Sequence, residues 1–235
     1  MHRNHLYLGA TILASAIALL PLPALSQALI MSEEHDGSVT RTWLQGDQVR
    51  IQGESDAYLL LDTRFERFDA VFPDRDVPLD LTADLPPRRE LDDALGEPVP
   101  ALESRGPGPS VAGYPTERYL VVGSGRNCGE VLLSREALER TGAIDYLRTK
   151  GNLQQRQRLA SPPSNRGPDA CARALEAAAG QYDRKGLPMR ITDADGTLRH
   201  QVISIQGRVD TPPGFFDPPG FRRDNAAPPP GGADY

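Results

Sequence analysis

Between Gly37 and Phe72 the apolar positions recur at every second residue. Val49 and Ile51 alternate with Gln48, Arg50 and Gln52, bracketed by Gly46-Asp47 and Gly53-Glu54-Ser55-Asp56. Alternation between turn residues turns one side of an extended strand to a core and the other to water. Tyr58 to Leu61 is apolar on both sides, and Phe68, Ala70 and Phe72 line one side of the next run opposite Arg67 and Asp69. The spacing predicts three or four antiparallel strands in a meander.

The signal then fades. Prolines at 73, 78, 86, 87, 98, 100, 107 and 109 punctuate residues 73–110, and each removes a backbone donor. This stretch is expected to be irregular apart from a short helix near Arg88 to Leu95. β-prone runs resume at Glu117–Val122 and Glu130–Leu133 around a flexible tip, Gly123 to Gly129, which predicts a hairpin. Ser134 is placed to cap a helix with Glu136 in its first turn, and Leu138, Thr141, Ile144 and Leu147 form one stripe. A second helix is expected from about Asp169 to Asp183, where Cys171, Leu175, Ala178 and Tyr182 share a face. The polar stretch Asn152 to Gly167 reads as a mobile connection. Leu187–Asp193 and Thr197–Val209 flank Ala194-Asp195-Gly196 as a last hairpin. The cluster Phe215-Phe216-Asp217-Pro218-Pro219-Gly220-Phe221 either folds back to seal one end of the sheet or presents an aromatic lip to a lipid or partner. Residues 223–235, rich in Ala, Pro and Gly, read as a disordered tail.

The start of the chain changes the picture from fold to location. Met1-His2-Arg3-Asn4-His5, an apolar run from Leu6 to Leu20, and Pro21 to Ala28 have the basic, apolar and small-residue order of a signal peptide. Residues 1–28 are therefore expected to be removed on export to the periplasm, after Ser26 or after Ala28. With Arg3 gone and no acid lost, 25 basic and 32 acidic residues remain, a net charge of −7. No cysteine stands at the end of the apolar run, since the two cysteines lie at 128 and 171, so a lipoprotein anchor is excluded and the exported chain should carry no stable membrane anchor. The acidic balance argues against a nucleic-acid partner. Cys128 and Cys171 are the two cysteines of the chain. In an oxidising compartment they are expected to pair, joining the tip of the hairpin to the second helix.

Motifs with catalytic or metal-binding chemistry fall away one by one. Gly123-Ser124-Gly125 follows a strand, but position 128 is Cys and another strand follows, which is wrong for a dinucleotide loop. Asp193-Ala194-Asp195-Gly196 lacks the later ligands of a calcium loop, with Ser204 where its Glu belongs. After export only His35 and His200 remain, too few for a three-histidine metal site. His35 sits in the acidic run Glu33-Glu34-His35-Asp36, read as a solvated, flexible end. No G-x-S-x-G elbow offers His200 a nucleophile. No metal, no cofactor and no catalytic residue are expected.

Three segments carry a resemblance. They are Val111-Ala112-Gly113-Tyr114-Pro115-Thr116-Glu117-Arg118-Tyr119, then Cys128-Gly129-Glu130-Val131-Leu132-Leu133-Ser134, and the closing Phe216-Asp217-Pro218-Pro219-Gly220-Phe221. In this order they resemble periplasmic proteins of the half-barrel superfamily of LolA, LolB and LppX type, with Leu132 where such relatives carry an aromatic. The resemblance covers residues 37–222 and implies an α+β fold, a curved antiparallel sheet wrapped around two or three helices, as one domain over 29–222. It further implies an apolar hollow suited to a lipid, an acyl chain or a lipoprotein, at about 0.8 kcal/mol per buried CH₂. The candidate walls are Leu59, Leu61, Phe68, Phe72, Leu120, Val122, Val131, Leu133, Ile203 and Ile205, whose alternative role is ordinary core. The resulting expectation is a non-enzymatic periplasmic binding protein for an apolar ligand or envelope protein. An envelope scaffold without a cavity and a hydrolase of unrecognised type are the alternatives.

Overall fold

The computed structural model describes residues 27–87, 101–160 and 170–218. The signal segment up to residue 26, the short helix expected near Arg88 to Leu95 and the tail from 223 on lie outside the described residues.

Eleven strands form one antiparallel sheet. They are β1 (Gln27–Glu34), β2 (Val39–Gln45), β3 (Gln48–Gln52), β4 (Tyr58–Asp62), β5 (Arg67–Val71), β6 (Leu79–Asp80), β7 (Ala101–Val111), β8 (Tyr114–Gly123), β9 (Arg126–Ser134), β10 (Leu187–Asp193) and β11 (Leu198–Gly207). Their spatial order is β6-β5-β4-β3-β2-β1-β11-β10-β9-β8-β7. The helices α1 (Arg135–Thr141), α2 (Ile144–Ala160), α3 (Ala170–Ala178) and α4 (Tyr182–Lys185) enter between β9 and β10, with one 3₁₀ turn, Ala179–Gln181, joining the last two. The class is α+β, a sheet wrapped on helices, as expected.

The pairing register follows from the alternation. Ala28 faces Leu44, Leu44 faces Val49, and Val49 faces Leu61, so one side of four neighbouring strands is a continuous apolar surface. On the other half of the sheet Val131 and Leu133 belong to the same core, where they meet Leu138, Leu147, Leu153 and Leu175 from the helices. Val121, Val131, Ala137, Ala143, Ala178 and Met189 have no exposure at all. This inner face is where the helices sit, and the opposite face is the outside of the wrap.

Four elements differ from the sequence-based expectation. Strand β1 precedes the meander and pairs on its far side with β11, a contact between residues so distant in the chain that no local pattern marks it. The single helix expected after Ser134 is two, because Gly142 takes φ +66° and ends α1 with a left-handed cap. Helix α2 then runs through the stretch read as a mobile connection, as far as Ala160. Gln154, Gln155, Arg156, Gln157 and Arg158 are good helix formers that happen to lack an apolar stripe. Strand β7 fills the end of the proline-punctuated stretch. It is an edge strand whose register shifts between Ser104 and Pro107 and between Gly108 and Val111, and edge or irregular positions are where a strand tolerates proline.

Ser134 behaves as the sequence predicts. It is fully buried, extended (φ −117°, ψ 115°), and its hydroxyl accepts from the Ala137 amide at 3.2 Å. Replacing it orphans that amide in the core. Ser134→Ala is expected to lower stability by about 1 kcal/mol, read as a shift in the urea midpoint with an unchanged slope.

Candidate binding site

The bond expected between Cys128 and Cys171 is present, with the Cα atoms 4.7 Å apart. Cys128 lies in β9 and Cys171 in α3, so the bridge fastens the helix layer to the sheet as the sequence reading anticipated. Beneath it Gly123 leaves no room for a side chain: a Cβ there would lie 2.5 Å from Ala174 Cβ. The close approach of α3 to β8 therefore rests on that glycine.

The candidate walls do not share one surface. Leu61, Val131 and Leu133 are buried among helix side chains in the core, and Phe68 and Ile205 pack against it. Leu59 shares the inner face with Leu61, and Phe72 follows β5 with its ring beneath the Arg75 guanidinium, 5.0 Å from the ring centroid. Leu120 and Val122 alternate with Tyr119 and Val121 onto the outer face. Ile203 occupies the irregularity in the β1–β11 register and is 40% exposed.

At one end of the sheet the turns reach back over the helices. Glu66, in the β4–β5 turn at φ +50°, accepts from Asn152 Nδ2 at 3.4 Å and lies 3.7 Å from Arg156 on α2. Arg156 also donates through Nε to the Pro86 carbonyl at 2.7 Å. Asp62 organises the same turn by accepting from the amides of Arg64 and Phe65, and the Thr63 amide donates to the Asp47 carbonyl at 2.8 Å. Between these turns and the start of α2 lies an open cleft of about 570 Å³ lined by Asp47, Thr63, Arg64, Phe65, Glu66, Asp145, Arg148 and Thr149. Phe65 stands at its rim 71% exposed. Arg148 is held by Asp145 at 2.9 Å and by Asp183 at 3.4 Å. The cleft thus offers charges of both signs beside one bare aromatic ring, which suits a polypeptide better than a simple anion or a pure hydrocarbon. Sequence reasoning passed it over because its residues come from two turns and a helix with no shared motif.

A second polar cluster lies at the opposite end of β1. His200 Nδ1 is 3.1 Å from Glu34 Oε1, and the Ser32 hydroxyl donates to the same oxygen at 3.2 Å. The run 33–36, read as a flexible end, is thus partly built into the sheet. Serine, histidine and acid meet here, but the hydroxyl donates to the carboxylate instead of the imidazole. The nucleophile-to-base contact of a hydrolytic relay is therefore not made. The hydrogen bond from His200 holds the Glu34 carboxyl below the ordinary 4.5, with the charges of His200 and of Lys150 on α2 assisting against the opposing effect of burial. A lowered carboxyl stabilises the fold above pH 4.5, and that contribution disappears as pH falls through the lowered value. Glu34→Gln is expected to lower the melting temperature at pH 7 and to leave it nearly unchanged in acid, so that the variant's thermal-stability profile has a flatter acid limb than the parent's.

On the outer face Trp43 and Arg50 are direct cross-strand partners, and Tyr58, the partner of Gln52 on the next strand, lies diagonally beside Arg50. The segment 211–218 returns to lie on them, so the described part of the aromatic cluster, with Phe215 and Phe216, covers part of the sheet, and its end from residue 219 lies outside the described residues. Phe215 meets Trp43 edge-on with centroids 5.2 Å apart. The Arg50 guanidinium lies between two rings, 3.5 Å from the Tyr58 centroid and 4.3 Å from that of Phe215, and donates to the Phe215 carbonyl at 2.9 Å. Phe216 is 8% exposed.

Among the described residues no group of three or more His, Cys, Asp or Glu side chains could hold a metal. Among them, too, no helix is long and apolar enough to cross a membrane. No protein-family model and no curated protein matches the chain. A solved structure, the Pseudomonas aeruginosa MucA/MucB complex, contains a chain that is distantly similar. The TM-score is 0.40 at 15% identity, over 81% of this chain and 54% of that one. The present chain therefore spans about half the length of that chain.

Proposed function

We propose that this chain is an exported, non-enzymatic binding protein of the bacterial periplasm that holds a segment of another envelope protein in the cleft between the β4–β5 turn and α2. The observation that carries this reading is Phe65, 71% exposed at the rim of a cleft of about 570 Å³. An exposed large aromatic beside fixed charges is a common anchor in protein recognition. Export is supported by the signal-like start and by the Cys128–Cys171 bond. Ala28 is 3% exposed and paired to Leu44 in the sheet, so removal of the signal fits a cut after Ser26 better than one after Ala28.

A second reading, an acyl ligand such as a lipid or the chain of a lipoprotein, is favoured by a different observation. Val77, Leu79 and Leu81 alternate along the open edge at β6 and are 73%, 47% and 38% exposed, which extends the inner apolar face that includes Leu59 and Phe68 into solvent.

One experiment separates the two. A photo-crosslinking amino acid at Phe65 of the exported protein is expected to give a discrete protein adduct, whereas the same probe at Ile203 gives none. No adduct at position 65, together with near-stoichiometric acyl lipid in a solvent extract of the purified protein, would replace the first reading by the second.

A further inference from the structure

Among the described residues β6 has a neighbouring strand on one side only, and its other side is an open edge of the sheet. The Leu81 amide donates to the Phe68 carbonyl of β5 at 2.8 Å. Backbone groups point to alternate sides along an extended chain, so those of Leu79 and Leu81 are engaged with β5 and those of Pro78 and Asp80 point to the open edge. Pro78 has no donor, and Thr82, next in that series, gives its amide to Asp80 Oδ1 at 2.8 Å. The edge therefore presents the amide and carbonyl of Asp80 and the carbonyl of Pro78. Side chains alternate between the two faces. Leu79 lies opposite Ala70 on the inner face, and Val77 and Leu81 flank it at steps of two, all three exposed. Asp80 lies opposite Asp69 on the outer face. On either side of the strand Asp74, Asp76 and Asp84 are exposed as well, against one cation, Arg75, whose guanidinium covers the Phe72 ring.

We propose that this edge takes up an extended segment of the partner polypeptide, which adds to β6 as a short further strand, apolar at every second position and basic between. The inference rests on the reading of a polypeptide partner and names that partner's chemistry, but it uses β6 and not the cleft at Phe65. Three features select the occupant. The free groups of Asp80 and Pro78 call for a backbone, the row Val77, Leu79 and Leu81 calls for apolar side chains at a period of two, and the carboxylates favour Lys or Arg on the outer side. In strand addition the main chain supplies affinity and the alternating side chains choose the sequence. A hydrocarbon would answer only the apolar row. A second copy of the chain would bring another acidic edge, and like charges placed opposite each other across strands repel. Because β6 runs antiparallel to β5, Leu81 is the end of the row nearest the β4–β5 turn, so a segment laid on the edge leads on toward Phe65.

The test is the binding of short, capped, fluorescently labelled peptides to the purified exported protein, read by anisotropy. A peptide alternating valine with lysine is expected to bind about tenfold tighter than one alternating valine with glutamate, the sum of a few cross-strand charge pairs. Gathering the same valines and lysines into two blocks, or N-methylating the backbone of the alternating peptide, should weaken binding several-fold. Val77→Ser with Leu81→Ser changes two exposed side chains and should abolish binding with the far-ultraviolet circular dichroism unchanged. Asp76→Lys with Asp84→Lys should remove the preference for lysine over glutamate. Equal binding of the lysine and glutamate peptides to the parent, or N-methylation without effect, overturns the proposal. So does acyl lipid that co-purifies with the parent and is lost from the serine variant, or a dimer of the parent that the same variant dissolves. Phe65→Ala keeps the two inferences apart. Peptide binding that survives it, with no cross-link at position 65, leaves the edge standing without the cleft, and a cross-link at 65 with no peptide binding leaves the cleft and overturns the edge.

Discussion

Cys128→Ser together with Cys171→Ser is expected to lower the stability of the protein by about 2–4 kcal/mol, the upper end being the chain-entropy figure for a loop of this length. The two residues are 43 apart in sequence, so the bond removes many extended states from the unfolded chain. It also fastens α3, a nine-residue helix too short to persist alone, to β9. Ala174 and Leu175 of α3 are in the core, and without the bond only their packing and that of their neighbours holds the layer. Against a typical total of about 5–15 kcal/mol this is a large share. The measurement is a pair of urea unfolding curves, for the parent and the double variant, with a second parent curve under reducing conditions. Equal midpoints in all three would refute the contribution assigned to the bond.

Gly129→Ala is expected to cost about 3–5 kcal/mol, combining backbone strain with overpacking. Gly129 takes φ +153°, a conformation that residues with a side chain rarely adopt. A methyl group there would also overlap the backbone carbonyl of Thr192 on the adjoining strand β10 and would press on Leu175 Cδ2 at 3.1 Å. Neither neighbour yields readily. The carbonyl belongs to a paired strand, and Leu175 belongs to the helix that the disulfide fixes. Gly196→Ala is the natural control, since Gly196 also has positive φ, +88°, but a Cβ there meets nothing within 4 Å. It should cost only about 1 kcal/mol, the strain alone. Equal losses for the two variants would mean that the crowding at β10 is not what matters.

Much of the fold could be read locally. The alternation of Val49 and Ile51, the cap at Ser134 and the turn at Ala194-Asp195-Gly196 each act over a few residues, and each appears where expected. The candidate walls were chosen by apolar character alone, which fixes that a residue avoids water but not on which face it does so. Leu120 and Val121 are adjacent and equally apolar, yet they lie on opposite faces of β8. The cleft and the aromatic row were harder to find. Phe65, Arg148 and Asp47 share no spacing, and Trp43, Arg50, Tyr58 and Phe215 span more than 170 residues.

By itself, then, the sequence determined the class of the protein, the antiparallel strands, the position of the helices between two hairpins and the partner of each cysteine. Those depend on backbone geometry, on short-range hydrogen bonds and on there being two thiols. Only the tertiary structure decided that β1 closes against β11, that Glu66 reaches α2, and that Phe215 settles between Trp43 and Arg50. Such contacts join residues whose mutual approach costs loop entropy, and that cost is recovered only when the whole sheet has formed around its helices. No local pattern records it.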